Sequence, residues 1–147
     1  MNFRFFSTLL FTCATFFVPA CAPKPMVDEN AVLSTVKDNV NAMQNKDLEG
    51  VMATVHPDSP SFGSTREVLQ DLFKKYDLRI TLSDLKIVSA TPEEVKVSFV
   101  QKTERLKGPV DLQSSVCDGV HTLRKDHGKW KIYNTLSGKA VALPANS

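Results

Sequence analysis

Residues 121–133, HTLRKDHGKWKIY, predict a β-hairpin. The segment begins with a polar strand end, turns at Asp126-His127-Gly128, and continues with apolar residues that alternate with lysines, as they do in strands with one buried face. Gly128 can adopt the positive φ that a tight turn between two strands requires. Because Trp130 and Ile132 alternate with lysines, we expect both to point into a core.

Two more strands precede this hairpin, because the apolar period changes from about 3.6 to 2 after Asp77. A change of parity near Asp84 predicts a bulge in the first of them. Thr91-Pro92 marks the next turn, and Gly108-Pro109 the break before the third strand. The alternating residues that define these strands are Ile80, Leu82, Val95, Val97, Phe99, Val116 and Val120.

Three helices are predicted ahead of the strands. Asp28 is a suitable N-cap for a helix of about four turns, and Asp47 for a short second helix that stops at His56-Pro57. The segment Ser64-Thr65-Arg66-Glu67 is a capping box and predicts the start of the third helix. The expected fold class is therefore α+β, with three N-terminal helices packed on a strongly curved antiparallel four-strand sheet.

Residues 1–20 have a different composition and predict a secretory signal peptide. Six of the nine phenylalanines lie in the first 17 residues, behind a basic start and ahead of a small-residue end. The apolar run before Pro19 is about 14 residues long, which is shorter than the roughly 20 that a membrane span needs.

The segment Val18-Pro19-Ala20-Cys21 resembles the lipobox of bacterial lipoproteins. The resemblance implies cleavage before Cys21, acylation of its sulfur, and a tether over residues 21–27 that holds the domain at the membrane. Ala22 is not acidic, which by the same resemblance implies the outer membrane facing the periplasm if the source is Gram-negative. The alternative is A-x-A cleavage and a secreted or periplasmic soluble protein, although that cut would fall before Pro23.

Charge and motif content exclude several classes. The net charge is +2 and the basic residues are spread along the chain, so we expect no nucleic-acid partner. Loss of Cys13 with the leader and acylation of Cys21 would leave Cys117 alone, a half-buried small hydrophobe without a disulfide partner. The histidines have no metal-ligand spacing, and no phosphate-binding glycine loop occurs, so neither a metal nor a cofactor is expected.

The order of the three helices and the closing hairpin resembles the nuclear-transport-factor-2-like superfamily, the cystatin-like cone that includes SnoaL-like proteins. The resemblance covers residues 28–134, and we expect a domain over 28–136 followed by a flexible tail over 137–147. It implies a cone with a cavity. Members include ketosteroid isomerase and dehydratases, but also binding and multimerising domains without catalysis, so the fold fixes little about function.

The resemblance implies that inward strand positions line the cavity mouth. Parity with Val95 places Gln101 there, and parity with Val116 and Val120 places Asp118 there, while Cys117 and His121 would face outward. His56 could face the mouth from the end of the second helix. The alternatives are that Asp118 and His56 are both exposed to solvent. The tyrosine that donates to the oxyanion in isomerases has no counterpart in residues 28–56, so the catalytic residues are unknown.

These features predict a membrane-anchored envelope lipoprotein whose cone domain binds a small molecule or acts as an accessory or interaction module without catalysis. The alternatives are a cone-cavity enzyme with isomerase-like or dehydratase-like acid–base chemistry, and a subunit of an envelope secretion or assembly machine with an envelope protein partner. The many charges expected on the outer sheet face predict a monomer or a weak homodimer.

Overall fold

The computed structural model describes residues 27–144, in which three helices precede an antiparallel sheet. The helices are α1 (Glu29–Gln44), α2 (Leu48–Thr54) and α3 (Phe62–Lys75). The strands are β1 (Asp77–Ala90), β2 (Glu94–Lys107), β3 (Ser115–Asp126), β4 (Lys129–Ser137) and β5 (Val141–Ala142). The predicted leader, the Cys21 lipidation site and most of the tether lie outside the described residues.

Side-chain caps begin the first two helices as predicted. Asp28 accepts a hydrogen bond from the Ala31 N–H at 3.1 Å, and Asp47 accepts one from the Gly50 N–H at 2.9 Å. Such caps satisfy backbone donors that the first helical turn leaves free.

The predicted capping box at Ser64 is wrong. Helix α3 begins at Phe62, and the Thr65 N–H already donates to the Ser61 carbonyl at 2.8 Å. The Ser64 hydroxyl donates to that same carbonyl at 3.1 Å instead of capping a following N–H. The helix therefore starts one turn earlier than the sequence motif indicates.

The strands follow one another in the order β1-β2-β3-β4, and each pair is antiparallel. The register of β1 on β2 shifts between Ser83 and Lys86, and Asp84 has φ 51°, which confirms the predicted bulge. His127 and Gly128 both have positive φ in the turn between β3 and β4, as a two-residue hairpin turn requires.

The predicted flexible tail over 137–147 is wrong for its first part. β4 includes Ser137, and the Gly138 N–H donates to the Asp118 carbonyl at 2.7 Å. β5 then pairs with the start of β3, placing Val141 opposite Val116 and Ala142 opposite Ser115. These residues continue the sheet beyond the end of β4.

The core lies between α1 and the inner face of the sheet. Its buried members are Val32, Val36, Val95, Val97, Leu123, Trp130 and Ile132. The chain also closes on itself at the edge of β4, where Val55 forms a parallel bridge with Ile132 and the His56 N–H donates to the Ile132 carbonyl at 2.8 Å. The end of α2 is thus fixed against the last long strand.

Candidate functional site

His56 is buried rather than open at a cavity mouth or exposed at a helix end; its exposed fraction is 8%. Its Nδ1 accepts a hydrogen bond from the Asp58 N–H at 3.1 Å, which puts the proton of the neutral ring on Nε2, 3.4 Å from the Lys125 carbonyl. The ring also meets Tyr133 edge-on, with centroids 5.6 Å apart. His56 therefore holds the turn after α2 against the β3–β4 hairpin.

Gln101 lies on the inner face of β2, as its parity predicts, but it does not line the cavity beside His121. It is half-buried, and its Nε2 donates to the Thr103 hydroxyl at 3.0 Å. It stands opposite Cys117 in the register between β2 and β3, so the half-buried Cys117 also faces inward. The predicted outward position of Cys117 is wrong.

Asp118 does not enter the cone. It is exposed on the outer face, opposite Val100, so its predicted role in the cavity is wrong and the solvated alternative describes it. The prediction rests on the parity of Val116 and Val120, but both valines also lie on the outer face, since Val116 stands opposite Lys102 and Val120 opposite Ser98. Every inward residue of β3 is therefore one position away from the prediction.

The residue that this inversion brings inside is His121. It stands opposite Val97 and is stacked on Phe99, with ring centroids 4.3 Å apart and planes 20° apart. Its Nδ1 lies 2.8 Å from the Thr135 hydroxyl, within hydrogen-bond distance. Burial lowers the pKa of His121 from 6.5 to about 4, so the imidazole is neutral at pH 7.

His121 lines a cavity of about 150 Å³ between the three helices and the β3–β4 half of the sheet, which we call the interior cavity; it is open to solvent on one side, where its lining includes the exposed Ser61, Asn134 and Thr135. The helices contribute Asn39, Met43, Val51, Thr65 and Leu69, the segment between α2 and α3 contributes Val55, Ser59 and Ser61, and β4 contributes Ile132, Tyr133, Asn134 and Thr135. None of these lining residues is Asp, Glu, Lys or Arg. The cavity can therefore offer hydrogen bonds and apolar contacts, but no formal charge at neutral pH.

Polar side chains in and around this cavity already have partners inside the protein. The Asn39 amide donates to the Thr54 hydroxyl at 2.7 Å, and that hydroxyl donates to the Val51 carbonyl at 2.7 Å. The hydroxyls of Ser59 and Ser61 lie 3.2 Å apart. These bonds hold the side chains in fixed orientations, which favours recognition of one shape over another.

Within residues 27–144, no group of three or more His, Cys, Asp and Glu side chains is placed to hold a metal ion. In the same part of the chain, no helix is both long and apolar enough to cross a bilayer.

Comparison with known proteins places the fold and the family. A solved NTF2-like protein from Cytophaga hutchinsonii superposes with a TM-score of 0.66 at 20% identity, over 79% of this chain and 100% of that one. A ketosteroid isomerase-like protein from Erwinia carotovora superposes with a TM-score of 0.57 at 16% identity, over 76% and 96%. At these identities the likeness shows the fold alone, which is the NTF2-like cone.

Sequence similarity points to a family within that fold. The anti-sigma-I factor RsgI9 of Acetivibrio thermocellus is 30% identical over 93 residues, which make up 63% of this chain and 13% of that protein. The chain thus corresponds to a small part of this much longer relative. Residues 34–143 match the family described as the C-terminal domain of the anti-sigma-I factor RsgI9, and the chain belongs to that family.

Proposed function

We propose that this protein is a membrane-anchored envelope lipoprotein whose cone domain binds a small uncharged molecule and does not catalyse a reaction. The observation that carries the proposal is the uncharged wall of the interior cavity, in which His121 is held neutral. Ligand pockets commonly combine apolar walls with a few fixed hydrogen-bonding groups, and this cavity has that composition.

The size of the cavity limits the ligand. A volume of about 150 Å³ is below the range of about 300–1,000 Å³ that suits drug-sized molecules. The ligand would therefore be smaller than a steroid or a nucleotide. Its hydrogen-bonding groups would meet His121 and Thr135 on one side and Ser59 and Thr65 on the other.

The chemistry of the cavity argues against the enzyme alternative. General acid–base catalysis works best with a group whose pKa is close to the working pH. His121 has a pKa of about 4, which makes it a weak base near neutrality, and among residues 27–144 no carboxylate lines the cavity beside it.

The family supports an accessory role. In the anti-sigma factor relative, the similar segment is 13% of the protein, so the domain occurs there as one module of a longer chain. The word anti-sigma in that name implies a protein partner, and we extend this to an interaction role for the cone domain here. The remaining alternative, a subunit of an envelope machine, would show itself as stoichiometric co-purification with other envelope proteins.

The test of ligand binding is native mass spectrometry of the full chain purified from its own cells. We expect a bound neutral molecule that disappears under denaturing conditions. Thr65→Leu fills the cavity from α3 and should abolish the bound mass, whereas Val68→Leu on the exposed side of the same helix should retain it. Retention of the molecule in Thr65→Leu, or its conversion to a product by the protein, would contradict the proposal.

The test of anchoring is metabolic labelling with a fatty-acid analogue. Cys21→Ser should abolish labelling and release the protein from the detergent phase, whereas Cys117→Ser should change neither, because that thiol lies inside the fold. Labelling that survives in Cys21→Ser would refute the anchor. Wild-type protein that is cut and released without label would establish the secreted alternative.

A further inference from the structure

One polar atom in the wall of the interior cavity, Nε2 of His121, has no hydrogen-bond partner among residues 27–144. The residue is 9% exposed, so it is about nine-tenths buried. Its Nδ1 lies 2.8 Å from the Thr135 hydroxyl, which leaves the second ring nitrogen for a group inside the cavity. A molecule that fills the cavity must bond to Nε2, because a buried polar group that loses its contact with solvent and gains no partner is costly.

The position of the ring directs Nε2 into the cavity. Nδ1 is next to the carbon that attaches the ring, whereas Nε2 is at the far edge of the ring. His121 lies on the inner face of β3, and the helices that line the cavity lie across from that face. The far edge of the ring therefore faces the helical side of the cavity.

The other nine-tenths-buried polar residue in this wall already has a partner. Within residues 27–144, the cavity lining that is buried to this degree contains two polar residues, Ser59 and His121. The Ser59 hydroxyl lies 3.2 Å from the Ser61 hydroxyl. The strongest demand for a hydrogen bond from the ligand is therefore at Nε2.

The rest of the buried wall is aliphatic and has the dimensions of one ring. Val51, Val55, Leu69 and Ile132 line the cavity and are at most 7% exposed. An apolar cavity of about 150 Å³ accommodates a benzene molecule, and the interior cavity has this volume. The side that is open to solvent gives such a molecule a way in.

A hydroxyl group is suited to Nε2 in both forms of the neutral imidazole. The Thr135 hydroxyl can donate to Nδ1 or accept from it, so the ring proton can be on either nitrogen. Nε2 is then a donor or an acceptor, and a hydroxyl can bond to it in both cases, whereas a carbonyl can only accept. A charged ligand group would find no counter-charge among the lining residues, and its desolvation would weaken binding.

We propose that the ligand of the interior cavity is a molecule with one six-membered ring and a hydroxyl group, of the size of a simple phenol. The hydroxyl bonds to Nε2 of His121, and the ring packs against Val51, Leu69 and Ile132. This inference rests on the function proposed above, because it names the chemical class of the ligand for the same cavity.

The experiment compares phenol with toluene, which has a methyl group in place of the hydroxyl. Calorimetric titration of the full chain at one fixed concentration of nonionic detergent gives a dissociation constant for each probe, and partition into micelles is then the same for every variant. We expect saturable binding of phenol, and at least about tenfold weaker binding of benzoate, whose carboxylate is charged. In ¹⁵N spectra of the wild type, phenol should shift the Nε2 signal of His121 more than toluene does.

Matched histidine variants locate the contact. His121→Phe keeps a ring that can stack on Phe99 and removes both nitrogens. The ratio of the toluene to the phenol dissociation constant should fall at least about tenfold in this variant, because a loss of space affects both probes alike. His127→Asn removes the imidazole at the hairpin turn, which is 95% exposed, and should leave the ratio unchanged; asparagine tolerates the positive φ at this position.

Two results would overturn the inference. One is an equal ratio in the wild type and in His121→Phe. The other needs no substitution, and is an Nε2 signal of the wild type that responds equally to phenol and toluene.

Native mass spectrometry separates failure of this inference from failure of the proposed function. A neutral molecule bound to the wild type from its own cells, together with no binding of phenol, would keep the cavity as a ligand site and overturn the ring and hydroxyl as its ligand class. Absence of a bound molecule and of binding by either probe would refute both.

Discussion

On β3 the inner face carries Cys117, Gly119, His121 and Leu123, whereas the outer face carries Val116, Asp118, Val120 and Thr122. The outer face therefore has two β-branched aliphatic residues, and the inner face has a glycine and a histidine. The inner set is nevertheless the one that packs against the buried residues of β2. The comparison shows that the partner strand, and not the hydrophobicity of β3 itself, decides which face of β3 is buried.

The inner face of β3 needs a small residue at Gly119 because the large Phe99 side chain of β2 lies against it. A Cβ atom placed on Gly119 would lie 2.5 Å from the Phe99 ring and 2.8 Å from the Leu136 carbonyl oxygen. Phe99 then extends to the ring of His121, on which it stacks. One aromatic side chain thus occupies the space in front of two positions of β3.

We expect the largest effect from a substitution of Phe99, which tests whether the inner face of the sheet is the buried one. Phe99→Ala should destabilise the fold by about 3–5 kcal/mol, because it removes a buried ring and leaves a void beside Gly119. Leu136→Ala, on the outer face and 67% exposed, should change the unfolding free energy by no more than about 0.5 kcal/mol. Urea unfolding measures both, and equal midpoints for the two variants would invert the assignment of the faces.

The second effect is the pH dependence of stability, which tests whether His121 is buried and neutral. Its pKa is lowered by burial, so the folded state disfavours the protonated ring while the unfolded state accepts a proton near pH 6.5. The stability that results is fully present above pH 6.5 and is lost as the pH falls toward 4. Each unit between the two pKa values changes the free energy of unfolding by about 1.36 kcal/mol. The difference between 6.5 and about 4 therefore corresponds to a loss of about 3 kcal/mol in the free energy of unfolding.

The control for this pH effect is His121→Gln, which cannot titrate. Its unfolding free energy should depend less steeply on pH between 4 and 6.5 than that of the wild type, and the two curves should run parallel above pH 7. Parallel curves over the whole range would show that His121 is solvated in the folded state.

The third effect tests the close approach at Gly119. Gly119→Ala should destabilise the fold by about 1–3 kcal/mol, because one of the two obstructing atoms belongs to the backbone and cannot rotate away. Gly63→Ala is the matched control, since nothing lies within 4 Å of the added Cβ in helix α3 and alanine favours helices. Gly63→Ala should be neutral or slightly stabilising in thermal melts, and an unchanged Gly119→Ala would contradict the packing described here.

The order of helices and strands could be predicted from the sequence because helix caps and turns depend on residues close together in the chain. Asp28 and Asp47 begin helices, and Gly128 turns the hairpin, through contacts with residues at most three positions away. The predicted start of α3 is wrong because Ser64 lies inside the first turn of the helix, where its hydroxyl donates to the Ser61 carbonyl and does not cap a following N–H. β5 could not be predicted, since two residues are too short to show a period.

The candidate site was harder to predict because it depends on one register. The two-residue turn pairs Asp126 with Lys129, and counting outward from it pairs Leu123 with Ile132. Because Ile132 is inward, this pairing puts Leu123 and, two residues earlier, His121 on the inner face. The pairing at the turn therefore predicts which residues of β3 face inward. Val116 and Val120, which lie farther from the turn, indicate the opposite parity.

The smallest expected effect concerns association through the outer face. Val100 and Val120 lie there with the exposed Leu136, but Lys96, Lys102 and Asp118 share the same surface. Cys117, which was expected on this surface, faces inward, whereas the charged residues remain on the outer face. Burying each of these charges without a partner would cost on the order of several kcal/mol.

We therefore expect the chain from Ala22 onward to sediment as a monomer or a weak dimer at micromolar concentration. Val100→Asp should shift a weak equilibrium slightly toward monomer, and Val68→Asp on α3 should not. A dimer that persists at micromolar concentration and is dissociated by Val100→Asp alone would show that the outer face is buried after all, and that both faces of β3 serve as interior surfaces.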